Sequence, residues 1–319
     1  MTLMPIAPTG SHFARVIALV GIAVVSAFVF LRTGAASVCS GWRCAAQHTK
    51  YGYTGYPQPE VGANMGKTVQ LLAKMGGMME MPAVNFGVGS FRQTSDVNMM
   101  IKSGVRGFSL MIHDGPVPPK QVAKGIADAI ATGYFTRNDF FITVAPFCSQ
   151  DVSQFMADGG LDRVDMITLH QPCSTYEATL AKWRELEGVV KAGKATSLGV
   201  CNYKDMDELR QLSIDAEFPP IVNSIGYDVT KYSRELDEAH LKMGITIMPY
   251  TPLKTAKNEP EVIEVASKMG VTSAQIALRF FTQTNHPVLT FSQSAEHMKQ
   301  NLKSSEIEIS VRDLEALEA

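Results

Sequence analysis

The sequence predicts an α/β protein built as a closed parallel (β/α)8 barrel of the TIM type, preceded by an N-terminal apolar targeting or anchor segment. Three observations point there. From about Met81 onward, short apolar runs alternate with helix-like stretches. The runs are apolar almost throughout instead of every second residue, as expected of strands covered on both faces by helical crossovers. Eight such units in about 240 residues fit a closed barrel better than an open doubly wound sheet.

The strand-like runs, in order, are AVNFGVG (83–89), GFSLMIHD (107–114), FFITVAP (140–146), VDMITLHQ (164–171), TSLGVCN (196–202), IVNSIGYD (221–228), ITIMPYTP (245–252) and VLTFSQ (288–293). Between them lie helical stretches such as PKQVAKGIADAIATGYF and STYEATLAKWRELEGVVKAGK. In the second of these, Leu180, Trp183, Leu186 and Val190 recur at helical spacing. SRELDEAHLKMG ends on Gly244, as a helix C-terminus should.

Composition sets the outer bounds. Of 319 residues, 45% are apolar, enough to bury a sizeable core and to exclude wholesale disorder. The 29 basic and 31 acidic side chains nearly cancel, which argues against a nucleic-acid partner. Five cysteines are too few for a disulfide scaffold, and the odd number leaves at least one thiol unpaired.

Residues 16–31, VIALVGIAVVSAFVFL, carry no charge and sit between Arg15 and Arg32. As a helix they would extend about 24 Å, short of a hydrocarbon core of roughly 30 Å, although flanking arginines can snorkel. Gly34, Ala35, Ala36 and Ser37 follow, as a signal-peptidase site requires. Residues 1–36 therefore read as a cleaved targeting peptide or a retained membrane anchor, with a buried core helix as the third reading. Either of the first two places the remainder outside the cytosol, in the secretory pathway or an organelle. Residues 37–75, punctuated by Gly, Pro and Tyr, read as a linker, and residues 76–319 as the barrel.

Two nucleotide motifs are set aside. GANMGKT (62–68) is one residue short of a phosphate-binding loop, and no apolar strand precedes it. No G-x-G-x-x-G follows the first strand, which removes the usual Rossmann reading.

Chemistry in such a barrel sits at the C-terminal ends of the strands. Those ends carry Ser109 to Asp114, Ala145, Cys148, His170, Cys173, Cys201 and Asn202, then Ser224, Tyr250, Thr251 and Ser292. His170 could act as a general acid near neutral pH, or be a hydrogen-bonded wall residue. Cys148, Cys173 and Cys201 end successive strands and could form a redox pair or bind zinc. Their spacing is no metal motif, and no metal site is expected.

The local words carry more. LDRVDMITLHQP (161–172), GKATSLGVCNY (193–203), ITIMPYTPL (245–253) and the run from TSAQIALRFF to Asn301 resemble the aldo-keto reductase family, in order and spacing, over roughly residues 80–310. The resemblance implies reduction of small aldehydes and ketones with NADPH, held extended across the barrel mouth. It also implies a working set of Asp, Tyr, Lys and His: the Tyr donates a proton, the Asp-paired Lys lowers the Tyr pKa, and the His orients the carbonyl.

Carried over by position, the Asp falls at Ser109, the Tyr at Asp114, the Lys at Ala145 and the His at His170. Only the last matches, so ordinary carbonyl reduction is expected to be weak or lost. Asp114 could substitute as donor if burial raised its pKa, or it is a solvated loop carboxylate. A displaced phenol at Tyr134 or Tyr203 beside a lysine would restore the acid.

For the cofactor, Asn202 and Tyr250 match the nicotinamide contacts, Thr251 replaces a Ser, and Leu253 matches. Ser292 and Asn301 match at the adenosine end, but Phe291, His297 and Gln300 replace the family's Lys, Arg and Glu. Losing two cations from a 2′-phosphate clamp predicts weak binding of NADP or NAD, without the usual NADPH preference. The other reading is a non-catalytic barrel serving as a membrane-tethered binding or structural subunit for a protein partner.

Overall fold

The computed structural model describes residues 67–72, 78–88, 93–111 and 119–318. The apolar segment 16–31, the rest of residues 1–36, residues 37–66 of the expected linker, and Asp114 lie outside the described residues.

The described chain begins with a hairpin. β1 (Thr68–Leu72) pairs antiparallel with β2 (Met78–Pro82), in a register running from Thr68 opposite Pro82 to Leu72 opposite Met78. Val69, Leu71 and Met81 pack in one buried cluster with Phe141, Met166 and Val222. Those last three stand at the starts of barrel strands, so the hairpin closes the N-terminal end and leaves chemistry to the opposite one. β1 falls inside the stretch read as linker. Two inward apolar positions in five residues are too short a period to distinguish from chance.

Eight parallel strands then close a barrel in the order β10-β3-β4-β5-β6-β7-β8-β9. They are β3 (Val84–Gly87), β4 (Gly107–Met111), β5 (Phe141–Ala145), β6 (Met166–Leu169), β7 (Ser197–Cys201), β8 (Val222–Gly226), β9 (Thr246–Tyr250) and β10 (Val288–Thr290). All eight lie within the runs expected from sequence. Every residue of β5, β6 and β7 is buried, which is why these segments read as continuous apolar runs. At Gly199, in β7, a Cβ would lie 2.9 Å from a methyl of Thr168 and 3.1 Å from the Val222 carbonyl oxygen, so only glycine fits there.

The crossover helices include α1 (Thr94–Lys102), α2 (Pro119–Ala131), α3 (Val152–Gly159), α4 (Tyr176–Lys191), α5 (Met206–Asp215) and α6 (Arg234–Lys242). α7 (Pro260–Met269), α8 (Ser273–Gln283), α9 (Ala295–Lys303) and α10 (Val311–Glu318) complete the chain. α4 starts at Thr175, whose hydroxyl accepts from the Ala178 N–H. Its inward stripe buries Trp183 and Leu186 completely, and the Trp183 indole donates to the Phe218 carbonyl at 3.0 Å. Gly244 follows α6 with φ 76°, the left-handed stop expected from its sequence position. Among the described residues, no helix is long and apolar enough to cross a membrane.

Candidate active site at the barrel mouth

A cavity of about 710 Å³ opens at the C-terminal ends of the strands. Its wall brings together Ser109 from β4, Ala145 from β5, His170 after β6, Cys201 and Asn202 at β7, Ser224 in β8, and Tyr250, Thr251, Leu253 and Lys254 at and after β9. Five of the eight site residues expected from sequence (His170, Asn202, Tyr250, Thr251 and Leu253) thus share one cavity.

Two tight turns aim the polar groups. Asn202 and Thr251, each directly after a strand, have φ values of 61° and 56°. Asn enters this left-handed region readily, whereas a β-branched Thr does so at a cost of about 1–3 kcal/mol. The Asn202 N–H donates to the Ser224 carbonyl at 2.8 Å, which fixes the first turn. Its side-chain amide donates to the His170 carbonyl at 3.0 Å, and its amide oxygen accepts from the Tyr250 hydroxyl at 2.7 Å.

Gly226 makes that last bond possible. A Cβ there would stand 3.2 Å from the Tyr250 hydroxyl and 3.3 Å from two ring carbons, so the phenol rests against bare backbone. Burial and the neighbouring Cys201 raise the Tyr250 pKa, against smaller opposing effects of the Gly226 backbone and Lys231. Tyr250 is therefore a protonated donor at neutral pH. Burial also lifts the Cys201 thiol to about 11, with a hydrogen bond to Ser224 opposing it. No reactive thiolate is expected there.

His170 is held by its backbone N–H, which donates to the Pro146 carbonyl at 2.9 Å, and by Phe147, whose ring centroid lies 4.3 Å from the imidazole. Around it, Ser109 is half-buried and Ala145 is 5% exposed, so a methyl group occupies the position expected of an ammonium. Neither Tyr134 nor Tyr203 lines the cavity. Tyr134 is 82% exposed on the loop leading into β5, at the strand's other end, while Tyr203, just after β7, is buried.

Ser292 and Asn301 are not brought into this cavity: they are buried beyond it, in the loop after β10 and in α9. The Ser292 hydroxyl is engaged with Ser294, accepting from its N–H at 3.1 Å. Phe291, in contrast, lines the mouth and is half-exposed.

Sequence reasoning missed Lys254 and Gly226. Among the described lining residues, Lys254 alone is a Lys or Arg, and none is an Asp or Glu. It could have been read from its place directly after Leu253; the role of Gly226 depends on a ring from another strand.

Cys148 and Cys173 form a disulfide between the loops after β5 and β6, while Cys201 is free and buried. The pairing leaves too few thiols for the zinc alternative. Among the described residues, no group of three His, Cys, Asp or Glu is placed to hold a metal ion.

The sequence pattern of the Aldo/keto reductase family matches residues 148–319. An aldo-keto reductase of Mycolicibacterium vanbaalenii is 26% identical over 250 residues, covering 75% of this chain and 88% of that protein. The NAD(P)H-dependent D-xylose reductase I,II of Candida tropicalis is 27% identical over 293 residues, covering 76% and 90%. The crystal structure of an aldo/keto reductase from Brucella melitensis shares the fold, with a TM-score of 0.70 at 22% identity, covering 78% of this chain and 96% of that one. With the closed eight-stranded barrel and the strand-end residues in place, the chain belongs to the aldo/keto reductase family.

Proposed function

We propose that the barrel mouth binds a nicotinamide dinucleotide weakly, and that carbonyl reduction there is slow or lost. The carrying observation is the convergence of His170, Asn202 and Tyr250 on one cavity in which Ala145 stands where an ammonium would be needed. The likeness to an NAD(P)H-dependent xylose reductase supports the choice of cofactor class.

The nicotinamide end fits. The Asn202 amide spends one N–H and one lone pair on His170 and Tyr250, leaving one of each for a ligand carboxamide. Among the described residues of the wall Lys254 is the one formal charge, and it suits an anionic ligand. The 2′-phosphate end does not fit: Phe291, His297 and Gln300 provide no lysine or arginine. We therefore assign the site to NAD rather than NADP.

A reduced nicotinamide supplies hydride when bound. The chain's own contribution is to orient a small carbonyl through His170 and to deliver a proton. With Ser109 and Ala145 in the mouth, no ion pair among the described lining residues lowers a donor's pKa, and Asp114 is the carboxyl at the family's phenol position in the sequence. Positioned acid–base assistance is worth about 10² to 10⁴ in rate, and that is the scale of the loss.

The second reading, a non-catalytic binding subunit tethered to a membrane through residues 16–31, draws on the buried Ala145 methyl and the apolar leader. The same leader, read with the Cys148–Cys173 disulfide, supports a non-cytosolic location, since disulfides persist in oxidising compartments. A panel of small aldehydes and ketones decides between the readings. Slow NADH-dependent turnover abolished by His170→Ala supports the enzyme; no turnover, with dinucleotide still bound, supports the binding subunit.

A further inference from the structure

A second cavity, of about 920 Å³, lies beside the mouth, and Phe147, Cys148, Gln150, Cys173 and Lys182 are on its wall. Both cysteines are half-buried, so their disulfide is part of a surface that a small thiol can enter. The other side of the same wall is His170. Phe147, the residue before Cys148, packs its ring on the imidazole, and Cys173 follows His170 by three positions.

Each loop is also anchored at or next to its cysteine. The buried Lys182 ammonium donates to the Gln150 carbonyl at 2.5 Å, and the Cys173 N–H donates to the Thr179 hydroxyl at 2.9 Å. These ties to α4 do not depend on the S–S bond. Opening the disulfide therefore leaves the barrel and the backbone ties of His170 to Pro146 and Asn202 in place, and acts on the imidazole through the Phe147 ring packed on it.

We propose that Cys148–Cys173 is a thiol-exchange site, addressed from the second cavity by a dithiol, and that its oxidation state sets the packing of Phe147 on the His170 ring, and with it the position of that imidazole in the mouth. A thiolate of the dithiol attacks one sulfur; the S–S bond breaks, a mixed disulfide forms, and the other cysteine leaves as a thiolate that takes up a proton. The second thiol of the reagent then displaces the remaining protein sulfur. The dithiol ends as a disulfide, and two protein thiols carry the two electrons. The consequence for ligand binding rests on the proposed function; the movement of His170 does not.

The test uses the full chain with dithiothreitol under native conditions, followed by iodoacetamide labelling and peptide mass analysis. His170 is followed by the NMR signals of its ring, assigned by their loss in His170→Gln. The expected result is labelling of Cys148 and Cys173 but not of buried Cys201, with the His170 signals shifting on reduction and returning on reoxidation. The Cys148→Ser/Cys173→Ser double variant should show the reduced position and ignore the reagent; if it fails to fold, reduced wild type carries the test. Labelling only after denaturation, or labelling with His170 signals unmoved, overturns the proposal. A His170 shift in a protein that binds no NADH would sink the dinucleotide reading and leave the exchange site standing.

Discussion

The Tyr250 hydroxyl donates to the Asn202 amide oxygen at 2.7 Å, joining the ends of β9 and β7 across the barrel mouth. Both partners belong to turns with left-handed backbone, at Asn202 itself and at Thr251, so the bond joins two constrained corners. It holds the carboxamide that we assign to the nicotinamide, and Gly226 provides the room for it.

Gly226→Ala should therefore push the phenol off Asn202. A Cβ at 3.2–3.3 Å from the ring and hydroxyl forces one of them to move. The expected cost is about 1–3 kcal/mol, as for other overpacked sites. Dinucleotide affinity should fall alongside the melting temperature. A melting temperature and affinity equal to wild type would show that the ring is free to relocate.

Lys254 gives the mouth its positive charge, and it is exposed, so its effect should be modest and salt-dependent. Lys254→Ala should weaken dinucleotide binding roughly two- to fivefold at low ionic strength, consistent with the small worth of exposed charges. The difference should shrink as salt is added. Calorimetric titration at two salt concentrations measures it.

Restoring the missing groups tests the account of lost chemistry. The Ser109→Asp/Asp114→Tyr/Ala145→Lys variant should gain about 10² to 10⁴ in kcat on a small aldehyde. The gain should vanish when His170→Ala is added. If wild type already matches the triple variant, the chain uses another donor.

Asp228, fully buried after β8, accepts from Lys231 at 2.7 Å, Thr230 at 2.6 Å and Thr255 at 3.3 Å, which ties the β8 loop to the loop carrying Lys254. Burial alone would raise its pKa, but these hydrogen bonds outweigh it and the net shift is downward. A carboxyl lowered on folding stabilises above its unfolded pKa of about 3.9, and that stabilisation is lost as pH falls through the folded value. Asp228→Asn should thus cost about 1–3 kcal/mol at neutral pH, with the gap closing in acid. Urea melts at neutral and acidic pH give the comparison.

The barrel was legible because its strands are buried on both faces: FITVA, MITL and SLGVC are apolar at every position but a few small or hydroxyl residues. The hairpin was not, since five residues with two inward side chains carry too little periodicity. His170, Asn202 and Tyr250 could be placed at the mouth because each ends a strand within a recognisable word. The Cys148–Cys173 pairing cannot be told from zinc binding in the sequence, because linear spacing does not say which neighbouring loops curl toward each other. Gly226 was invisible for a related reason: its role is to make room for a ring that arrives from the adjacent strand.

The most direct measurement is the titration of the purified chain with NADH and with NADPH, followed by nucleotide fluorescence or calorimetry. Saturable NADH binding in the upper micromolar to millimolar range is expected, with NADPH no tighter. Absence of binding by either nucleotide at millimolar concentration, or a clear preference for NADPH, would contradict it.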